Sequence, residues 1–179
     1  MNATKATTLG TAIAKLPRVQ LASVRPTPLE PMQRLAAHLN SPALHIKRDD
    51  LTGLAFGGNK TRMFEFSLAD ALAAGADTIV SGAAVQSNYC RQLAAACAKL
   101  DLALHLILRP VRDIDKAESQ GNNLLQHLLG AQITVMEEGK HIIQTGAIQA
   151  KVDELTAQGK KVYWPRREST IDLDVIAYV

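Results

Sequence analysis

From residue 60 onward, the hydrophobic positions of the chain alternate between helical spacing and short apolar runs. The clearest helical pattern has apolar residues at i, i+3, i+4, i+7 and i+8, namely Cys90, Leu93, Ala94, Cys97 and Ala98. Four short runs lack polar alternation and predict buried strands, at 78–81, 102–108, 133–136 and 162–164. Caps and glycines between the runs predict helices at about 59–74, 119–129 and 142–158, and Ser87 is predicted to cap the helix that holds Cys90 to Ala98.

This alternation of strands and helices predicts an α/β fold with a doubly wound parallel sheet. Strands that are apolar throughout are typical of a parallel sheet covered by helices on both faces. We assign the four predicted strands to one small domain at residues 60–165. In such a sheet, ligands bind beyond the carboxyl ends of the strands, where helix N-termini present free N–H groups.

The first 59 residues follow a different pattern. Residues 1–16 carry weak helix signals and predict a loosely held arm, whereas residues 17–31 hold four of the seven prolines and predict an extended segment. Apolar spacing at 32–39 predicts a short helix. Leu44 and Ile46 predict a strand that leads into KRDDLTGLAFGGNKTR at 47–62.

That stretch places Lys60 after Gly57, Gly58 and Asn59, at the predicted start of a helix. The free N–H groups and dipole of a helix start disfavour a cation by about 0.3–1 kcal/mol, so they favour the nucleophilic amine. The position suits a lysine that bonds to a carbonyl cofactor, with the glycines allowing close backbone approach. The alternative is an ordinary turn with an Asn59 N-cap and Lys60 extending into solvent.

A second candidate site follows the predicted strand at 78–81. Gln86, Ser87 and Asn88 lie where this strand leads into the next helix, and they offer a hydroxyl and two amides close to a helix start. Such groups can bind a carboxylate or a phenolic oxygen of a cofactor ring. The alternative is that Ser87 is an ordinary N-cap and its neighbours are solvated. If the junction does bind a ligand, it is placed opposite Lys60.

Composition and charge narrow the possible functions. The excess of 20 Lys and Arg over 17 Asp and Glu is small and scattered, so nucleic-acid binding is not indicated. The chain has neither a membrane-spanning apolar run nor a secretory leader pattern. Cys90 and Cys97 are too far apart on one helix to form a disulfide with each other. These features together predict a cytoplasmic protein. The histidines lack the spacing and Cys partners of a zinc site, so no metal is predicted.

Three phrases carry a resemblance to a known family: PTPLEPMQRL at 26–35, HIKRDDLTGLAFGGNKTRMFEF at 45–66 and VQSNYCRQLAAACAKLDL at 85–102. They resemble the pyridoxal-phosphate enzymes of fold type II that include 1-aminocyclopropane-1-carboxylate deaminase and D-cysteine desulfhydrase. The resemblance implies pyridoxal 5'-phosphate as the cofactor, carried covalently by Lys60. It further implies that Lys60 and Ser87 are catalytic, that Gln86, Ser87 and Asn88 bind the substrate, and that Asn88 also contacts the cofactor ring.

The implied reaction is that of a lyase or deaminase acting on a small amino acid. D-Cysteine or 1-aminocyclopropane-1-carboxylate would give a 2-oxo acid and ammonia, with sulfide leaving from D-cysteine. The resemblance also implies a homodimer for full-length members. Two departures are Tyr89, where a histidine or another polar residue is common, and Asp101, where a helix-ending glycine is usual; aspartate tolerates the left-handed conformation.

The largest departure is the end of the chain, because family members continue for a similar length again. The resemblance assigns residues 1–59 to the large domain, 60–165 to a tryptophan-synthase-β-like small domain, and 166–179 to the start of a truncated return to the large domain. The continuation supplies the family's loop for the cofactor phosphate. Two hypotheses therefore stand: a pyridoxal-phosphate enzyme, or a truncated, non-catalytic remnant that folds or associates without turnover.

Overall fold

The computed structural model describes residues 10–137, 140–165 and 167–178. Its helices include α1 (Gln33–His38), α2 (Lys60–Ala73), α3 (Asn88–Lys99), α4 (Ile114–Ala117), α5 (Gly121–Leu128), α6 (His141–Ala157) and α7 (Arg167–Ile176). Its strands include β1 (Leu29–Pro31), β2 (His45–Lys47), β3 (Thr78–Ser81), β4 (Ala103–Leu108), β5 (Gln132–Val135) and β6 (Val162–Tyr163). Residues 1–9, which are most of the predicted arm, lie outside the described part.

Four strands form a parallel sheet in the order β5-β4-β3-β6. Thr78 lies opposite Ala103 in the pairing of β3 with β4, and β6 pairs with the other side of β3. The chain moves outward from β3 through β4 to β5 and then crosses back to β6. This reversal makes the sheet doubly wound, as the sequence pattern predicted, and puts the topological switch between β3 and β6.

Apolar side chains fill both faces of the sheet. On one face Phe64 of α2 and Leu93 of α3 belong to a cluster that includes Ile79 of β3. On the other face Ile148 of α6 packs with Val80, the next residue of β3. Because consecutive strand residues point to opposite faces, an apolar run such as Thr78–Ser81 requires helices on both sides.

The N-terminal segment forms a separate antiparallel pair, β1 with β2, and α1 lies between these strands in sequence. Glu65, a fully buried residue of α2, connects the preceding segment to the parallel sheet unit. Its carboxylate accepts the backbone N–H groups of Leu21 and Ala22 at 3.1 and 3.0 Å. Part of the proline-rich stretch thus lies against α2.

The connection from β4 to β5 differs from the single helix predicted at 119–129. The observed helix α5 is shorter, and α4 precedes it. Asp115 explains the extra turn, because its carboxylate accepts the N–H groups of Val111 and Arg112 at 2.8 and 3.1 Å. Asp101 adopts the left-handed conformation expected of it, at φ 56°.

Among the described residues, no helix combines the length and the apolar character needed to cross a bilayer.

Candidate active site

The starts of α2 and α3 lie at the carboxyl edge of the sheet. Helix α2 packs antiparallel to the strand β3 that follows it, so its first turn lies near the end of that strand, and α3 begins just beyond the same end. This is the edge at which α/β sheets bind ligands, and it adjoins the switch between β3 and β6. Lys60 and the Gln86-Ser87-Asn88 junction therefore belong to one region of the fold.

A buried glutamine of α3, Gln92, joins the two helix starts. Its Oε1 accepts the backbone N–H of Thr61 at 3.0 Å and the Thr61 hydroxyl at 3.1 Å. Its Nε2 donates to the carbonyl oxygen of Asn88 at 3.1 Å. The residue after Lys60 and the first residue of α3 are thus separated by one glutamine side chain. Sequence reasoning missed Gln92, although a polar residue inside the apolar pattern of this helix was a signal.

Lys60 is partly buried at the start of α2. Within the described part of the chain, its side chain makes no hydrogen bond or ion pair, while Asp174 of α7 lies within electrostatic reach. Burial raises the pKa of the Asp174 carboxyl above its usual range, while a hydrogen bond from Thr170 and the charge of Lys60 oppose that rise. The Lys60 amine is therefore unengaged by the acceptors of the described residues, and a half-buried carboxyl group lies within electrostatic reach of it.

The prediction that Asn59 caps α2 is wrong for its side chain. Asn59 occupies the N-cap position of α2, but its side chain makes no capping hydrogen bond. Instead, its Nδ2 donates to the hydroxyl oxygen of Tyr178 at 3.2 Å, and that hydroxyl donates to the Asn59 carbonyl oxygen at 3.1 Å. The reason is that Asn59 has helical backbone angles, φ −66° and ψ −22°, whereas a capping residue is usually extended.

Gly57 and Gly58 are required by contacts within the protein. A Cβ atom on Gly57 would lie 1.9 Å from the carbonyl oxygen of Asp50, and one on Gly58 would lie 2.4 Å from Nε2 of Gln92. Both residues also have positive φ, 79° and 130°. The glycine pair therefore brings the turn before Lys60 against Gln92, the residue that joins the two helices.

The prediction that Ser87 caps α3 is confirmed. Its hydroxyl oxygen accepts the backbone N–H of Cys90 at 3.3 Å, with extended angles at φ −74° and ψ 125°. The Ser87 hydroxyl also forms a side-chain hydrogen bond with the thiol of Cys90. The Asn88 amide is less engaged: its Oδ1 accepts from Nδ2 of Asn122 at 3.1 Å, while its own Nδ2 makes no hydrogen bond to the described residues.

Gln86 is held by the start of α5. Its Oε1 accepts the backbone N–H of Asn122 at 2.9 Å, and its Nε2 donates to the carbonyl oxygen of Gln120 at 3.0 Å. Asn122 also accepts from Arg91 of α3, whose other nitrogen donates to the carbonyl oxygen of Gly57. Asn122 and Arg91 thus tie the Gln86 junction to the glycine turn, and these long-range contacts leave no periodic signal in sequence.

Tyr89 lies beneath the junction. Its ring meets Phe64 edge to face, with centroids 4.9 Å apart, and its hydroxyl oxygen accepts from Ser81 at 3.4 Å. Burial raises the pKa of this phenol, and the carboxyl of Asp174 contributes in the same direction. Tyr89 therefore remains a neutral phenol at the end of β3.

The donor set at this edge fits a carbonyl cofactor with anionic oxygens. Lys60 supplies an amine that no acceptor in the described ranges engages, and Ser87 and Asn88 supply a hydroxyl and an amide suited to a carboxylate or phenolate oxygen. No group of three His, Cys, Asp or Glu side chains that could hold a metal ion occurs in the described ranges. The chemistry available is that of an amine nucleophile beside hydroxyl and amide donors.

A family model described as pyridoxal-phosphate dependent enzyme matches residues 21–177. The 1-aminocyclopropane-1-carboxylate deaminase of Methylobacterium nodulans is 39% identical over 142 residues, which are 77% of this chain and 42% of that protein. The D-cysteine desulfhydrase of Serratia proteamaculans is 45% identical over 129 residues, or 70% and 38% of the two chains. The chain thus spans less than half the length of these curated relatives.

Solved structures show the same likeness. A structure described as an ACC deaminase homologue matches with a TM-score of 0.81 and 32% identity, covering 95% of this chain and 50% of that one. Diaminopropionate ammonia lyase from Escherichia coli, at 16% identity and a TM-score of 0.64 over 99% and 46% of the two chains, shares the fold.

Proposed function

Because the chain belongs to the family of pyridoxal-phosphate dependent enzymes, we propose that the carboxyl edge of its sheet binds pyridoxal 5'-phosphate, with Lys60 as the covalent attachment point. The observation that carries the proposal is the Gln92 bridge between Thr61 and Asn88. It sets the helix start that bears Lys60 one side chain away from the helix start that bears the Ser87 hydroxyl and the Asn88 amide.

Each residue of the site has a proposed role. Lys60 would hold the cofactor covalently through its amine, and the same amine would move a proton at the substrate α-carbon. The Ser87 hydroxyl and the Asn88 Nδ2 would donate to the substrate carboxylate, and Asn88 would also hold the ring hydroxyl oxygen of the cofactor. Gln86 completes the substrate site, held in place by Asn122. When bound, the cofactor supplies an electron sink for bonds to the substrate α-carbon.

The proposed reaction is the conversion of a small amino acid into a 2-oxo acid and ammonia, with sulfide as a further product from D-cysteine. The names of the relatives supply the two candidate substrates, D-cysteine and 1-aminocyclopropane-1-carboxylate. We place residues 60–165 in the small domain of such an enzyme, and residues 1–59 and 166–179 in its large domain. The full-length protein would act as a homodimer in the cytoplasm.

A non-catalytic chain is the second candidate, and α7 favours it. This helix packs against α2, with the carboxyl of Asp174 within electrostatic reach of Lys60 and the hydroxyl of Tyr178 bonded to Asn59. A helix held there would limit the space that a cofactor needs beside Lys60. In this alternative the chain folds but does not turn over an amino acid.

Turnover by the purified 179-residue chain distinguishes the two candidates. The chain is supplied with pyridoxal phosphate and either amino acid, and 2-oxo acid, ammonia and sulfide are measured. The enzyme proposal expects product that disappears in Lys60→Ala and persists in Lys160→Ala, which removes an exposed lysine. Cofactor binding without turnover supports the non-catalytic alternative, and the absence of cofactor binding contradicts the proposed site.

A further inference from the structure

A cavity of about 290 Å³ lies between the N-terminal segment and α2. Its lining includes four cationic side chains and one carboxylate: Arg18, Arg25, Lys47, Arg62 and Glu65. Lys60 does not line it. Since residues two positions apart on a helix point in different directions, Arg62 faces this cavity from a side of α2 different from that of Lys60.

The carboxylate of Glu65 is already saturated by donors. Its Oε2 accepts Nε and Nη2 of Arg18 at 3.0 and 2.5 Å and also pairs with Arg25. Its Oε1 accepts two backbone N–H groups, from Leu21 and Ala22. Two guanidinium groups therefore share one carboxylate oxygen, and one positive charge is left without a counter-charge.

The other two cations, Arg62 and Lys47, have only one carboxylate partner between them in the described part of the chain. Arg62 forms a two-point pair with Asp49, at 2.8 Å from Nε and 2.7 Å from Nη2, which neutralises both groups. Lys47 donates its ammonium to the carbonyl oxygen of Thr27, which carries no charge. Among the described residues, no carboxylate lies within ion-pair distance of Lys47. Four cations thus stand against two carboxylates, and two positive charges remain.

A cavity lined by charges of one sign focuses their field and attracts counter-ions, so the excess positive charge around this cavity favours an anion. Guanidinium groups match the oxygens of tetrahedral anions through paired N–H donors. A water molecule takes about 30 Å³ in the liquid, so the cavity has room for a small anion together with several waters. We infer that this cavity is a binding site for a small dianion of the phosphate or sulfate type.

Titration with inorganic phosphate at constant ionic strength tests this inference. Calorimetry and thermal unfolding are measured on the wild type, Lys47→Gln, Arg25→Gln and Arg34→Gln, which removes an exposed arginine of α1 outside the cavity. The inference expects saturable binding by the wild type and Arg34→Gln, and at least tenfold weaker binding by Lys47→Gln and Arg25→Gln. Circular dichroism establishes that each variant is folded, and Lys47→Gln carries the test if Arg25→Gln unfolds.

Two further arms separate the possible sources of the effect. Glycerol phosphate replaces inorganic phosphate to distinguish a phosphate monoester from the free ion; binding of either supports the site and identifies its preference. Ser87→Ala, altered at the proposed substrate site, should bind phosphate as the wild type does, so this result is independent of the proposed function. Equal stabilisation of all variants, or no saturable binding by the wild type, overturns the inference.

Discussion

Gly58 illustrates how a single residue positions the candidate site. Its φ is 130°, and a Cβ atom added to it would lie 2.4 Å from Nε2 of Gln92, so a side chain at this position is disfavoured. Gly146, inside α6, has nothing within 4 Å of an added Cβ. We expect Gly58→Ala to lower the free energy of unfolding by about 2 kcal/mol, and Gly146→Ala to raise it by about 0.5–1 kcal/mol through helix propensity.

Urea unfolding at neutral pH measures both changes on one scale. If Gly58→Ala is as harmless as Gly146→Ala, then the close packing of the glycine turn against Gln92 is wrong. That packing is the contact that brings the turn before Lys60 to α3.

Glu65 gives the chain a dependence of stability on pH. Burial by itself would raise the pKa of this carboxyl, but hydrogen bonds from the Ala22 N–H, Arg18, Arg25 and the Leu21 N–H hold it below its usual range. A lowered folded-state pKa adds stability above the unfolded value, about 4.3, and that stability is lost as the pH falls through the folded value. Glu65→Gln removes this contribution.

We expect Glu65→Gln to lower the free energy of unfolding by about 3 kcal/mol at pH 7 and by less at pH 4, because below about 4.3 the unfolded carboxyl binds a proton and the wild-type advantage starts to shrink. Urea unfolding at the two pH values measures the difference. Glu137→Gln, at a carboxylate whose side chain is 93% exposed, is the control and should leave the free energy of unfolding nearly unchanged. A Glu65→Gln effect that is independent of pH contradicts the ionised, hydrogen-bonded carboxylate.

At the scale of residues, local chemistry was predictable and long-range contacts were not. The capping role of Ser87 follows from a short polar side chain at the end of an apolar strand. The contacts of Asn122 with Gln86 and Asn88 join residues that are 36 and 34 positions apart, and only the folded chain brings them together. The functional roles of Lys60, Gln86, Ser87 and Asn88 remain predictions.

The starts of helices α2 and α3 provide a matched pair of variants at the scale of elements. Ser87 caps α3 with its hydroxyl, whereas the side chain of Asn59 does not cap α2. Ser87→Ala should therefore cost about 1 kcal/mol of unfolding free energy, and Asn59→Ala should cost less, because only its exposed contact with Tyr178 is lost. Thermal or urea unfolding measures both. A larger loss for Asn59→Ala would mean that its amide caps the helix in solution.

Strands were easier to predict than the connection between β4 and β5. The run TIVS is buried at every position, and the observed strand Thr78–Ser81 has the limits that were predicted for it. The predicted helix at 119–129 was too long because Gly121 begins α5 with φ at 54°. Asp115 organises the preceding turn through backbone hydrogen bonds, and such a polar contact has no hydrophobic period.

At the scale of the whole molecule, the doubly wound order of the sheet gathers two helix starts and α7 at one edge. The β5-β4-β3-β6 order places the switch next to β3, where α2 and α3 also begin. The sequence predicted this sheet because four apolar runs alternate with helices. It predicted neither helix α7 nor its packing against α2, because residues 166–179 were assigned only as the start of a return to the large domain.

The central claim, that Lys60 carries pyridoxal phosphate, is tested most directly by locating the bond. The 179-residue chain is incubated with one equivalent of the cofactor, reduced with borohydride, and mapped by mass spectrometry of its peptides. We predict one modified lysine per chain, at Lys60, with the modification lost in Lys60→Ala and kept in Lys160→Ala. Modification spread over exposed lysines, and unchanged by Lys60→Ala, would contradict the account.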